Sequence, residues 1–351
     1  MARSIMLPAR HRTIARPPAH QAKESAMRFV RRQFLHLAAG AVAWPAVSRI
    51  AAAETYPSRP VRIIVGFTAG GSTDIIARMI GQSLSDRLGQ SFIVENRPGA
   101  GANIATETVV RAAPDGLTLL LVNSADTINA TLYQKLNFNF LRDIAPVASI
   151  VRQPQIMLAN PSVPAKTFPE FIALAKANPG KITMASPGNG SIGHLCGEML
   201  KMMTGVDWVH VPYRGAVPAL TDLLAGHVQI LFTGVAGSID HLRTGKLRAL
   251  AVTTTMRVKA LPDTPAVSEF VPSYEAISLF GIGAPKGTPP EIIDKLNKTI
   301  SAAVADPKNE ARINELGGTV LAGTPGEFGK ILASETEKWA KVIRAANIKP
   351  E

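Results

Sequence analysis

Twice in this 351-residue chain a short apolar run leads into a loop of glycines and hydroxyls, and the loop opens an amphipathic helix. The first passes from a β-branched run at 61–67 through Thr68-Ala69-Gly70-Gly71-Ser72-Thr73-Asp74. Its helix carries Ile75, Ile76, Met79, Ile80, Leu84 and Leu88 on one face and stops at Gly89. The second leaves a strand at 182–185 through Ser186-Pro187-Gly188-Asn189-Gly190-Ser191 and enters a helix over 192–203. Runs with so little polarity suit strands covered on both faces. This pattern predicts an α/β fold with mixed, mostly parallel sheets.

The other segments extend the alternation. Strands are expected at 92–95, 117–122, 144–151 and 155–159, with a helix at 102–113 ending at Pro114-Asp115-Gly116. A second series follows Pro161 and Pro164: helices at 169–177, 217–225 and 239–243, and strands at 208–211, 228–232 and 247–254. A proline-rich stretch (Pro262, Pro265, Pro272) leads to a strand at 277–282. One further helix carries Ile292, Ile293, Leu296, Ile300 and Val304, and another carries Phe328, Ile331, Leu332, Trp339, Val342 and Ile343. The reading is two similar α/β lobes, residues 54–155 with 275–351 and residues 156–274, without a sequence repeat. Extended crossovers near 152–160 and 255–275 return the C-terminal helices to the first lobe. Two such crossovers make a hinge with a cleft.

The charge is uneven. Of 38 Lys+Arg and 26 Asp+Glu, for a net +12, residues 1–53 hold nine basic residues and one acid, Glu24. That leaves +4 on the remaining 298 residues. The leader has the parts of an export signal: Arg31-Arg32-Gln33-Phe34-Leu35, an apolar stretch to Val47, and Ala51-Ala52-Ala53. The paired arginines resemble a twin-arginine signal. About 14 apolar residues are too few where roughly 20 are needed to span a membrane. Translation is read as starting at Met27, with cleavage after Ala53 and a periplasmic product without a membrane anchor. The later Lys and Arg are scattered without interleaved aromatics, so nucleic acid is not expected as a partner. A single cysteine excludes a disulfide framework, and Cys196 lies on an apolar helical face, as a buried structural thiol would.

Free N–H groups at a helix N-terminus, together with the helix dipole, attract an anion, and glycines let it approach the backbone. The carboxyl ends of strands are where α/β sheets bind ligands. Either loop alone reads equally as a tight turn whose helix is capped by Ser72 or Asp74. Two in matching positions favour a ligand site. Gly188-Asn189-Gly190-Ser191-Ile192-Gly193 also satisfies the dinucleotide pattern G-x-G-x-x-G, which keeps an exported oxidoreductase as the alternative. Against it, no acid ends the next strand: Asp207 precedes it and Asp222 comes later. No cofactor is therefore expected. His194, His210, His227 and His241 lack carboxylates at metal-ligand spacing, so no metal is expected. Ser191 and His194 lack a nucleophile elbow, and no catalytic residue is assigned.

Several motifs together resemble the Bug-type, or tripartite tricarboxylate transporter, extracytoplasmic solute-binding proteins. They are Tyr56-Pro57 with Pro60-Val61-Arg62-Ile63-Ile64-Val65, Gly70-Gly71-Ser72-Thr73-Asp74 with Ala77-Arg78, and Glu95-Asn96-Arg97-Pro98-Gly99-Ala100-Gly101. Pro114-Asp115-Gly116, Val211-Pro212-Tyr213-Arg214-Gly215 with Pro218-Ala219, and 222–228 complete the set. The resemblance implies a type II periplasmic binding protein fold, monomeric, closing on a small carboxylate: a di- or tricarboxylate, an amino acid or an aromatic acid. It implies delivery to the membrane permease of a tripartite transporter, without catalysis. A ligand sensor that signals to a membrane kinase is a third reading. By the same resemblance Phe67, Thr68, Ala69, Gly70, Gly71 and Asp74 grip one end of the ligand. Ser186, Gly188, Asn189, Gly190 and Ser191 grip the other. Asn123 and Ser124 line the first lobe, and Tyr213, Arg214, Phe232 and Gly234 the second. Arg214 is either a carboxylate partner or a structural ion pair.

Overall fold

The computed structural model describes residues 56–350. The leader, with its paired arginines, the start at Met27 and the cleavage after Ala53, lies outside the described residues. Strand β1 (Val61–Val65) is buried at four of its five positions, as its unbroken apolar run requires. It lies parallel between β2 (Phe92–Asn96) and the fully buried β3 (Thr118–Asn123). Helix α1 (Ser72–Leu88) connects β1 to β2 and turns Ile76, Ala77, Ile80 and Leu84 into the core. It ends where Gly89 takes a left-handed conformation, φ 72°.

Beyond β2, α2 (Asn103–Val110) leads into β3, and α3 (Ser124–Leu132) follows β3 with no intervening loop. After α4 (Phe140–Asp143) comes β4 (Ile144–Ala159), a single strand of 16 residues where two strands were expected. Over 144–154 it pairs antiparallel with β9 (Ile277–Pro285). Over 155–159 it pairs antiparallel with β7 (Ile230–Gly234), and over 156–159 with β8 (Arg248–Val252). Pro154 sits where β4 changes partners, so its missing N–H costs little of either ladder.

The second lobe repeats the design. Helix α5 (Phe168–Ala177) precedes β5 (Thr183–Ser186), and α6 (Ile192–Thr204) joins it to β6 (Val209–Pro212). Helix α7 (Ala216–Ala225) joins β6 to β7, and α8 (Ile239–Arg243) joins β7 to β8. The strand order is β2-β1-β3-β9-β4-β7-β5-β6, with β8 and β10 (Thr319–Val320) also paired to β4. The pairings β1–β2, β1–β3, β5–β6 and β5–β7 are parallel, whereas every pairing of β4 and β9 is antiparallel. The sheets are therefore mixed, with the antiparallel part in the middle.

Helix α9 (Pro290–Val304) packs Leu296, Ile300 and Val304 with Val61, Ile63 and Ile80. Helix α10 (Pro307–Glu315) follows. Helix α11 (Pro325–Ala345) covers both lobes. Its Phe328 and Leu332 pack with Ile64 and Val122, while Trp339, Val342 and Ile343 pack with Leu195 and Phe232.

Candidate ligand-binding site

The first glycine loop follows β1 and leaves 68–71 exposed. Gly71 is the N-cap of α1, with no side-chain cap hydrogen bond, so neither Ser72 nor Asp74 closes the helix end. The Asp74 carboxylate instead accepts from the Gly70 N–H at 3.0 Å, Arg78 Nε at 2.9 Å and Asn96 Nδ2 at 3.0 Å. Burial alone would raise its pKa, but these hydrogen bonds hold it below the ordinary carboxylate value. Asn96 also donates to the Phe67 carbonyl at 2.9 Å. Asp74 thus braces the loop from inside, and Asn96, which pattern alone does not single out, ties both ends of that brace.

The second loop hydrogen-bonds to itself. Ser186 Oγ accepts from the Gly188 N–H at 3.2 Å, and the Ser191 N–H donates to the Gly188 carbonyl at 3.1 Å. The Gly190 N–H donates to His194 Nδ1 at 3.1 Å. Ser191 caps α6 by accepting from the His194 N–H at 3.3 Å. The N–H groups that a pyrophosphate would need at Gly188, Gly190 and Ser191 are therefore already engaged. Gly193, the last glycine of the dinucleotide pattern, serves packing: a Cβ there would come within 2.4 Å of the Phe232 carbonyl oxygen. Asn189 Nδ2 donates to the Lys349 carbonyl at 2.6 Å.

Asn123 and Ser124 occupy the end of β3. Asn123 caps α3 through Oδ1, accepting from the Ala125 N–H at 2.8 Å, and Asp126 returns a bond to the Asn123 N–H at 2.9 Å. The Ser124 hydroxyl donates to the Ile277 carbonyl and accepts from the Leu279 N–H, fastening α3 to β9. The amide Nδ2 of Asn123 and that of Asn103 are buried without a hydrogen-bond partner. Just before Asn103, Ala100 and Ala102 stand at φ 46° and 81°, strained values for residues with a Cβ. The strain is invisible in the sequence, where Ala100 and Gly101 end a motif and Ala102 reads as the start of a helix.

On the second lobe, Tyr213 donates its hydroxyl to Asp222 at 2.6 Å, and burial with that carboxylate pushes its pKa up to about 12. Arg214 is exposed and makes no ion pair among the described residues. Phe232 is wholly buried in the core. Gly234 ends β7 opposite the first loop: a Cβ there would lie 3.3 Å from Ser72 Oγ.

Between the first loop and the β7–α7 end lies a cavity of about 540 Å³. Gly70, Gly71, Ser72 and Ile75 form one wall; Ala216, Val217, Leu220, Thr233 and Gly234 form the opposite one. Arg243 and Arg312 reach its rim, each with an acidic neighbour: Asp240 at 3.8 Å and Glu315 at 2.8 Å. Helix α7, like α1, has a glycine N-cap (Gly215) and no side-chain cap. Two helix N-termini with unclaimed N–H groups therefore border one space of small-molecule size. Of the residues expected to meet a ligand, Gly70, Gly71 and Gly234 line it. The second loop stands apart, with Gly190 pressed on Leu132 of α3. Among the described residues no group of three or more His, Cys, Asp or Glu is placed to hold a metal ion.

Residues 76–348 match the tripartite tricarboxylate transporter family receptor, TctC. The chain belongs to that family. It is 35% identical to the protein BugT of Bordetella pertussis over 311 residues, 88% of this chain and 95% of BugT. Among solved structures it resembles Rpa4515 of R. palustris with adipate at 35% identity and a TM-score of 0.80, covering 84% of this chain and all of that one. It resembles MatC of Rhodopseudomonas palustris with bound malate at 31% identity and a TM-score of 0.75, covering 82% of this chain and all of that one. This TctC-family chain is a solute-binding receptor of the two-lobed α/β fold. Among its described residues, no helix is long and apolar enough to cross a membrane.

Proposed function

We propose that this receptor closes on a small carboxylate in the periplasm and hands it unchanged to the membrane permease of a tripartite transporter. The observation that carries the reading is the pair of helix N-termini, α1 and α7, that open on one cavity without side-chain caps. Backbone N–H groups and helix dipoles attract an anion there, and the exposed Arg243 and Arg312 at the rim add positive charge. The relatives solved with adipate and malate support a carboxylate. Residues 54–155 with 275–351 form one lobe and 156–274 the other, and they flex where β4 changes partners near Gln155. The second loop, Asn123 and Arg214 would meet the ligand when the lobes close. The signal at 27–53 directs export by the twin-arginine route.

A thermal-shift screen with di- and tricarboxylates, acidic amino acids and aromatic acids tests this reading. A ligand at a hundred times its Kd stabilises the native state by about 2.7 kcal/mol. In a chain of this size that is a rise in Tm of several degrees. A nicotinamide or flavin that raises Tm where every carboxylate fails would overturn it.

A further inference from the structure

His194 of α6 and His210 of β6 lie face to face, ring centroids 3.7 Å apart and planes 5° from parallel. Each holds one strand-side or helix-side end of the second glycine loop. His194 Nδ1 accepts the Gly190 N–H at 3.1 Å, which fixes this ring as the Nε2–H tautomer. His210 Nε2 stands 2.7 Å from Ser186 Oγ, the hydroxyl that receives the Gly188 N–H. Gly190 has φ 71° and presses on Leu132, so the loop has little room to relax if either bond is lost. His194 is 5% exposed and Ser186 is fully buried.

We propose that the stacked pair is a clamp that sets the shape of the second glycine loop: His194 acts through the Gly190 N–H and His210 through the Ser186 hydroxyl. Both are positioning residues and neither touches the ligand. That the clamped loop receives the ligand rests on the function proposed above. The clamp needs neutral rings, because a proton on His194 Nδ1 removes the acceptor and two imidazolium rings in a stack repel. The surroundings favour the neutral form. Glu198 Oε1 is 3.9 Å from His194 Nε2, yet Lys201 stands 3.8 Å from the same carboxylate and 3.2 Å from Asp207. Strands β5 and β7 bring no titratable group. Helix α3 brings Asp126, bound to Thr106 and the Asn123 N–H. Strand β4 brings the exposed Arg152, and α11 brings Glu335 and Lys338, paired at 2.6 Å. Burial lowers the pKa of both rings, to about 3 for His194 and about 4 for His210.

Two substitutions per site test the clamp. His194→Asn keeps an acceptor close to the place of Nδ1 and His210→Gln keeps a polar atom close to Nε2, whereas His194→Leu and His210→Leu remove them. Amide hydrogen exchange at 188–191 reads the loop without a ligand, and titration calorimetry with adipate and malate reads binding. Each Leu variant should speed exchange at Gly190 or Gly188 about tenfold, the equivalent of about one hydrogen bond, while the Asn and Gln variants stay near the wild type. For whichever acid binds the wild type, the Leu variants should weaken Kd by a similar factor. Wild-type exchange rates in both Leu variants overturn the clamp. Faster exchange with unchanged Kd overturns its role in ligand binding. A wild type that binds neither acid sends the ligand question back to the wider carboxylate screen, and exchange alone then decides the clamp.

Discussion

Single residues in the two glycine loops face different constraints, although their sequences look alike. Gly70 has φ 88° and open space where a Cβ would stand. Gly190 has φ 71°, and a Cβ would come within 2.3 Å of Leu132 Cδ2. Alanine at Gly70 therefore incurs backbone strain alone, about 1–2 kcal/mol. Alanine at Gly190 adds a steric clash to the same strain. Leu132 is buried and has little room to turn its methyl aside, so urea unfolding should rank Gly190→Ala below Gly70→Ala, and equal midpoints would mean that Leu132 yields at no cost. Asp74 illustrates the same difference between type and role. An acid in the first turn of a helix reads as a cap or a ligand contact, yet its carboxylate is consumed by Gly70, Arg78 and Asn96.

At the scale of elements, strong local signals were readable and long-range ones were not. Helix α1 was legible from its apolar period and the stop at Gly89, and β1 and β3 from their buried runs. Strand β4 reads as two because Arg152, Gln153 and Pro154 interrupt its apolar pattern. Burial of Gln153 and Gln155 is made tolerable by distant partners: Gln153 donates to the Leu316 carbonyl at 2.8 Å and Gln155 to Ser278 Oγ at 2.9 Å. Helix α3 escaped notice because its first turn, from Ser124 to Thr127, is rich in residues that favour turns. The reciprocal cap between Asn123 and Asp126 was the signal that marks its start. Helix α10 is polar almost all round and buries only Ile313, so it has no stripe to detect. In the candidate site, the glycine loops were visible by composition. The cavity wall at Ala216–Val217, the strained turn at 100–102 and the histidine stack depend on elements far apart in the chain.

Across the whole molecule, the buried groups set how stability follows pH. Between pH 6.5 and about 3 the unfolded chain binds protons at His194 and His210 that the native state refuses. More protons on the unfolded side means stability rises with pH through this window, by at most about 1.4 kcal/mol per pH unit for each ring. Asp126 works the other way, because burial lifts its pKa to about 6 and the native state holds its proton longer. Two rings outweigh one acid, so denaturant unfolding should show stability climbing between pH 4 and 6. The His194→Asn, His210→Gln double variant should flatten that climb, and an unchanged slope would contradict the burial of the neutral pair.

The proposed anion site lies between the N-termini of α1 and α7. Val217 lies in the first turn of α7, on the wall of the cavity, and is 75% exposed. A glutamate there suits the helix end and spares the fold, yet it places a like charge beside the bound carboxylate. The most direct measurement is calorimetric titration of the carboxylate that stabilises the wild type into Val217→Glu and Val217→Gln. Val217→Glu should lose about tenfold or more in affinity, with Val217→Gln near the wild type. Equal affinity in both variants would contradict this site.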